Sequence, residues 1–196
     1  MNPLIFDNFA PDADLIRRAV IAEGFTDEIG PDSAVYTGIS KYEVPHWYDR
    51  VSKVVGSKIN PKLSCFRLNL AGENPHSWVH SDDICAKYAS VLYLNLPMQC
   101  KGGTAFWRHK ELGVDRLLGR EELTKAGHDA DNYYAIMNQE WKKKDAWQQT
   151  NMVPMKWNRF ITYPTCFFHS RYPFEAFGSG SADGRLIWIC FYDVNP

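Results

Sequence analysis

The stretch Ala89-Ser90-Val91-Leu92-Tyr93-Leu94-Asn95-Leu96 alternates residue by residue. Side chains of a strand fall on opposite faces with period two, so Ala89, Val91, Tyr93 and Asn95 share one face and Ser90, Leu92, Leu94 and Leu96 the other. Strand character continues on both sides of it. Upstream, Leu63 to Leu70 alternates loosely, and the turn Ala71-Gly72-Glu73-Asn74-Pro75 leads into Ser77-Trp78-Val79-His80-Ser81-Asp82. Downstream, Lys101-Gly102-Gly103-Thr104-Ala105-Phe106-Trp107 reads as a glycine turn entering a strand. Further strands are expected at Asn151–Met155, Trp157–Tyr163, Cys166–Arg171 and Arg185–Tyr192.

The N-terminal third reads differently. Leu4 to Phe9 is a short strand, and Pro11-Asp12-Ala13-Asp14 suits the first turn of a helix, where free N–H groups favour negative charge. Leu15, Ile16, Ala19 and Val20 carry helical spacing up to Gly24. A second helix is expected from Pro45 to near Gly56, with Trp47, Val51, Val54 and Val55 on one face and His46 in a structural position. Residues 25–43 are turn-rich and define no element. Residues 108–150 are charged and helix-prone, carry Tyr133, Tyr134, Trp141 and Trp147, and read as an insertion between strands. It is either a lid or a block packed outside the core, and Lys142-Lys143-Lys144 within it reads as solvated surface. The expectation is a mainly β (α+β) chain, a double-stranded β-helix or jelly roll of about eight strands. Two N-terminal helices buttress it, a helical insertion falls at about 108–150, and residues 1–196 form a single domain.

Composition narrows the function classes. The 22 basic and 23 acidic residues leave a net charge of -1, so there is no global basic footprint and nucleic acid is not the expected partner. No apolar run reaches the length of a membrane span, and the N-terminus has no signal-peptide pattern. The cysteines Cys65, Cys85, Cys100, Cys166 and Cys190 are odd in number and contain no Cys-x-x-Cys pair. They read as reduced thiols of a cytoplasmic protein.

Within the strand read through Trp78, His80 and Asp82, the imidazole and carboxylate share a face and can take adjacent positions on one divalent metal. A third ligand would complete a two-His-one-carboxylate set with open positions on iron(II). His169, in the aromatic run Cys166-Phe167-Phe168-His169-Ser170-Arg171, is the first candidate. His109 is the second; His76 and His128 are less well placed. In the last strand Arg185 is in phase with Ile187, Ile189 and Phe191, on an apolar side where a guanidinium must be paired. Either a bound carboxylate or an acidic residue of a neighbouring strand answers that need.

In order, His80-x-Asp82, Leu92-Tyr93-Leu94-Asn95, Gly102-Gly103-Thr104-x-Phe106, His169 and Gly184-Arg185 resemble the iron(II)/2-oxoglutarate-dependent oxygenases, most closely their prolyl-hydroxylase-like branch. The resemblance runs over residues 63–192, interrupted at 108–150. It implies that His80, Asp82 and His169 hold Fe(II) and that Arg185 holds the distal carboxylate of 2-oxoglutarate. Tyr93 would assist that carboxylate, and Asn95 would contact co-substrate or substrate. The tyrosine that many relatives carry upstream of the first histidine is missing from Phe66-Arg67-Leu68-Asn69-Leu70, with Asn69 or Arg67 as substitutes. Arg171 is a further anion binder that could meet a substrate carboxylate. The implied reaction consumes dioxygen and decarboxylates 2-oxoglutarate to succinate. It hydroxylates a C–H bond of an amino-acid residue or a small amino-acid-like molecule, so the partner is a small-molecule or peptide/protein substrate; the oligomeric state is left open. Two rivals stand beside it: a cupin-like metal protein that does not use 2-oxoglutarate, and a non-catalytic jelly-roll binding module.

Overall fold

The computed structural model describes residues 2–30, 33–73, 78–83 and 85–194. His76, Ser77 and the Asn74-Pro75 part of the expected turn lie outside the described residues. Among those described, the chain is mainly β with four α-helices. The N-terminal elements are β1 (Leu4–Phe6), α1 (Ala13–Glu23), β2 (Thr26–Ile29), β3 (Val35–Ser40) and α2 (Pro45–Val55). The middle strands are β4 (Ile59–Asn69), β5 (Tyr88–Tyr93) and β6 (Gly103–His109), followed by α3 (Arg120–Lys125) and α4 (Ala130–Glu140). The chain ends in β7 (Trp147–Pro154), β8 (Phe160–Pro164), β9 (His169–Tyr172) and β10 (Arg185–Val194).

Seven strands form one antiparallel sheet in the order β1-β8-β5-β10-β4-β3-β2, and three form a second, β7-β6-β9. β10 is central to the large sheet: Arg185 lies opposite Asn69 and Ile187 opposite Arg67 on β4, and Ile187 lies opposite Tyr93 on β5. Because strand faces alternate, the large sheet has two unlike sides. Phe66, Leu68, Leu92, Leu94, Leu186 and Trp188 pack against Ile16, Val20, Trp47 and Val51 of the two helices. Val91, Tyr93, Ile161 and Ile187 face the small sheet through Phe106, Val153 and Met155.

The helices buttress the sheet as expected. Asp12 makes no cap bond to its own helix; its carboxylate instead accepts from His46 Nε2 at 2.6 Å and Trp47 Nε1 at 3.0 Å, joining the starts of α1 and α2. Pro45 opens α2, and Gly56, with φ +74°, closes it in the left-handed conformation that glycine adopts without strain. Residues 25–43 do contain structure. β2 and β3 sit at the sheet edge, and β2 buries no residue fully, so no hydrophobic alternation marks it. β6 extends to His109 and β7 begins at Trp147, so the insertion proper is shorter than 108–150 at both ends. No described helix is long and apolar enough to cross a membrane.

The insertion packs as a block. Leu123, Tyr133, Met137 and Trp147 are buried in one cluster with Val79, Ala105 and Phe168. Asp129 caps α4 by accepting from the N–H groups of Asp131 and Asn132. His109 is completely buried there, with Nε2 2.8 Å from Glu140 Oε2 and Nδ1 accepting from the Leu112 N–H. It is therefore a structural residue of the insertion, not the alternative third ligand.

Candidate metal centre

One potential donor atom from each of His80, Asp82 and His169 lies within 4.8 Å of the others. His169 Nε2 is 3.1 Å from Asp82 Oδ2, and His80 Nε2 is 3.9 Å from Asp82 Oδ1. Adjacent donors on a six-coordinate cation with bonds of about 2.1 Å stand roughly 3 Å apart; the His169–Asp82 pair already has that spacing, and His80 stands somewhat wider. Side-chain exposure rises from 6% for His169 through 24% for Asp82 to 39% for His80, so the cluster opens to solvent on the His80 side.

The two histidines are set by backbone. His80 and His169 form an isolated antiparallel bridge, with His80 N donating to His169 O at 3.0 Å and His169 N to His80 O at 2.9 Å. His169 then enters β9. The segment before and after His80 does not continue as a strand, contrary to the expected alternation of Trp78, His80 and Asp82. The N–H groups of Trp78 and Val79 both turn to the Trp141 carbonyl of the insertion, and that of Asp82 to the Thr165 carbonyl at 2.8 Å. A looped segment thus delivers both side chains, while Trp78 turns to Phe174, with ring centroids 4.9 Å apart, and lies under Lys144 Nζ at 3.9 Å from its ring.

The protonation states suit a cation. His169 Nδ1 lies 2.9 Å from the Phe167 carbonyl, which can only accept, so that nitrogen carries a proton and Nε2 is the ring atom turned to Asp82. His80 is pushed down to about 4 by desolvation, then by the His169 ring, with Asp82 acting against both, so it is neutral at pH 7. Its Nδ1 is buried with no hydrogen-bond partner among the described residues. Burial works to raise Asp82, but His80, His169 and Arg67 outweigh it and hold the carboxyl near 2. Two imidazoles and one carboxylate are a donor set for a divalent transition metal.

Arg185 opens β10 on the face towards the small sheet and is 5% exposed. Its Nη1 donates to Asn69 Oδ1 at 3.0 Å, its Nε has no partner, and no carboxylate of the described residues pairs with it. Burial first, with repulsion from Arg171 and Arg67, holds its pKa down to about 10 against the opposing influence of Tyr93. Of the two answers to its charge, the acidic residue on a neighbouring strand is absent among the described residues. Tyr93 is fully buried beside it, with the guanidinium carbon 5.9 Å from its ring and its hydroxyl 2.7 Å from Thr104 Oγ1. Asn95 is placed otherwise. Its Nδ2 donates to Gly184 O at 2.7 Å and its Oδ1 accepts from Leu186 N at 2.9 Å, so both ends of the amide serve the backbone at the start of β10.

Glu73 and Thr104 went unmarked as individual residues. Glu73 follows β4 in a turn, with its Oε2 2.5 Å from Arg171 Nη1 and 3.1 Å from Asn69 Nδ2, and nothing in its local sequence announces this. Thr104, in the Gly102-Gly103-Thr104 run, lies opposite Arg171 in the β6–β9 pairing. A cavity of about 320 Å³ beside Asn2, Trp107 and Asp115 includes none of the three cluster residues.

Fold and cluster together define a mainly β protein with a solvent-accessible His-Asp-His centre at the junction of two antiparallel sheets. The chain belongs to a family of unknown function, DUF6445, whose model matches residues 63–192. A search of curated proteins gave no match. Among solved structures, AviO1 from Streptomyces viridochromogenes Tue57 is similar over 97% of this chain and 87% of its own, at 12% identity with a TM-score of 0.50. EvdMO1 aligns with 97% of this chain and 46% of its own, at 15% identity with a TM-score of 0.45.

Proposed function

We propose that this protein is an Fe(II)- and 2-oxoglutarate-dependent dioxygenase on a double-stranded β-helix. It would hydroxylate a C–H bond of an amino-acid residue or a small amino-acid-like substrate. The observation that carries the reading is Arg185, a buried cation that no described carboxylate pairs with, on the same face of the large sheet as Tyr163, whose ring lies 4.9 Å from that of the cluster's His169. A cationic pocket beside a metal donor set is what a keto acid with a second, distal carboxylate requires.

His80, Asp82 and His169 would hold the iron, which with dioxygen and 2-oxoglutarate supplies the oxidising power for C–H cleavage. Every other contribution comes from the chain. The Phe167 carbonyl fixes the tautomer and plane of His169. Asn69 orients the Arg185 fork by taking Nη1 and leaves Nε for the distal carboxylate. Tyr93, steered by Thr104, walls the same pocket. The apolar cluster of Val91, Ile161, Ile187 and Phe106 keeps water from its inner side. The five cysteines are free, in keeping with a cytoplasmic enzyme.

Anaerobic titration of the apoprotein with iron(II) and then 2-oxoglutarate tests the reading through the weak visible metal-to-ligand charge-transfer band. The band is expected to form, to vanish in His80→Ala and to weaken in Arg185→Ala. Iron binding without a band on adding the keto acid would replace the reading with a cupin-like metal protein. No metal binding would leave a non-catalytic binding module.

A further inference from the structure

We propose that the molecule oxidised by this protein is an acid: Arg67, with Arg171 beside it, forms a second anion site that receives a substrate carboxylate, separate from the Arg185 site. The inference rests on the dioxygenase reading and adds to it the chemistry of the substrate.

Three arginines meet on the inner side of the large sheet. Arg67 and Asn69 alternate in phase on β4, and Arg185 lies opposite Asn69. Arg171 is in phase with His169 on β9 and so turns to the same space from the small sheet. Arg67 and Arg171 both act on Arg185 by charge repulsion. Among the described residues only one carboxylate, Glu73, is hydrogen-bonded within the group, and it is already taken. It pairs with Arg171 at 2.5 Å and accepts from the Asn69 amide and the Leu70 N–H. Asn69 passes the contact on to Arg185. Arg67 stands outside this chain of bonds. Its guanidinium lies over the Tyr36 ring at 5.3 Å, and its Nε is buried without a partner among the described residues, as is Nη2 of Arg171.

Charge counting separates one anion from two. Three guanidiniums, Glu73 and Asp82 sum to one positive charge, which a divalent cation raises to three. The two charges of 2-oxoglutarate leave one. Arg67 and Arg171 are only half-buried, but the Nε of one and Nη2 of the other are enclosed without a described partner, so a second, singly charged anion would complete their bonding. A carboxylate matches the unused N–H groups of Arg67 and Arg171 in sign and hydrogen-bonding capacity.

The test uses the full chain loaded anaerobically with iron(II) and saturating 2-oxoglutarate. Probes are the proteinogenic L-amino acids and short peptides ending in them, each beside its C-terminal amide. Perturbation of the charge-transfer band and the rise in unfolding temperature report binding. At least one acid is expected to bind where its amide does not, and the free acid against the peptide tells a metabolite from a chain end. Arg67→Gln should weaken that acid about tenfold or more while shifting 2-oxoglutarate binding less than about threefold, with Arg67→Lys between. If Arg67→Gln weakens 2-oxoglutarate as much as Arg185→Gln does, Arg67 belongs to the co-substrate and the inference fails while the dioxygenase reading stands. If no acid is preferred over its amide, the inference also fails. If wild type forms no band, the dioxygenase reading fails instead; acid binding to the iron form, lost in Arg67→Gln, would then still establish the anion site.

Discussion

On one face of β10, Trp188 meets Trp47 with ring centroids 5.2 Å apart, and Leu186 and Cys190 lie fully inside. On the other face, one residue out of phase, Arg185 is also buried yet keeps an Nε with no partner among the described residues. The same strand serves both. Its helix-side face converts burial into stability, and its inner face gives some of that stability up by enclosing charge that the described residues do not neutralise. In a folded protein, such leftover polar groups point to something the chain is built to receive.

The sharpest way to break this contrast is to truncate each face. Trp188→Ala should lower unfolding free energy by about 3–5 kcal/mol in urea denaturation, because a large, fully enclosed side chain leaves a cavity. Arg185→Met should leave stability unchanged or raise it, because a buried charge is removed, while abolishing the response to 2-oxoglutarate. A large loss of stability in Arg185→Met would make the guanidinium a structural element and erase the distinction.

A second contrast lies between the metal cluster and the block that supports it. Val79 and Phe168 immediately precede His80 and His169 and are buried against the insertion. Phe168→Ala is expected to cost about 3 kcal/mol and to weaken metal binding about tenfold, read by competition with a chromophoric chelator. If the stability loss appears without the affinity loss, the insertion supports the fold but not the ligands. His109→Ala should cost less, about 1–3 kcal/mol, since it strands Glu140 and the Leu112 N–H, and metal affinity should hold.

The smallest effect is expected at the surface. Asp7 bridges Arg159 and Lys156, whose hydrogen bonds hold its carboxyl well below the usual range. A folded-state pKa below the unfolded one means the native state binds fewer protons, so the contribution is complete above the unfolded value of 3.8 and fades as pH falls below it. Asp7→Asn should therefore cost no more than about 1 kcal/mol at pH 7 and progressively less in acid, measured by thermal unfolding.

The two helices, their glycine stops and most core strands were legible because their signals are strong and local. β2 was not, because an edge strand that buries almost nothing carries no alternation. The cluster residues could be picked out by type and order, but the strand imagined around His80 could not be checked locally. Its N–H groups are claimed by Trp141 and Thr165, both distant in sequence. The same limit hid the roles of His109 and Asn95, whose polar atoms are consumed by partners that only the fold brings near. Whether the insertion covers the metal or supports it was equally undecidable from spacing; the aromatic residues pack beneath Val79 and Phe168.

The paired backbone bonds between His80 and His169 also bear on how the protein is made. During synthesis the first two cluster residues leave the ribosome long before the third, without the strand that positions them. A nascent chain therefore holds two of the three potential donors, and the cluster is complete once β9 has been added beside β6. Any metal that the cluster takes would thus be gripped by all three side chains only after β9 has been made.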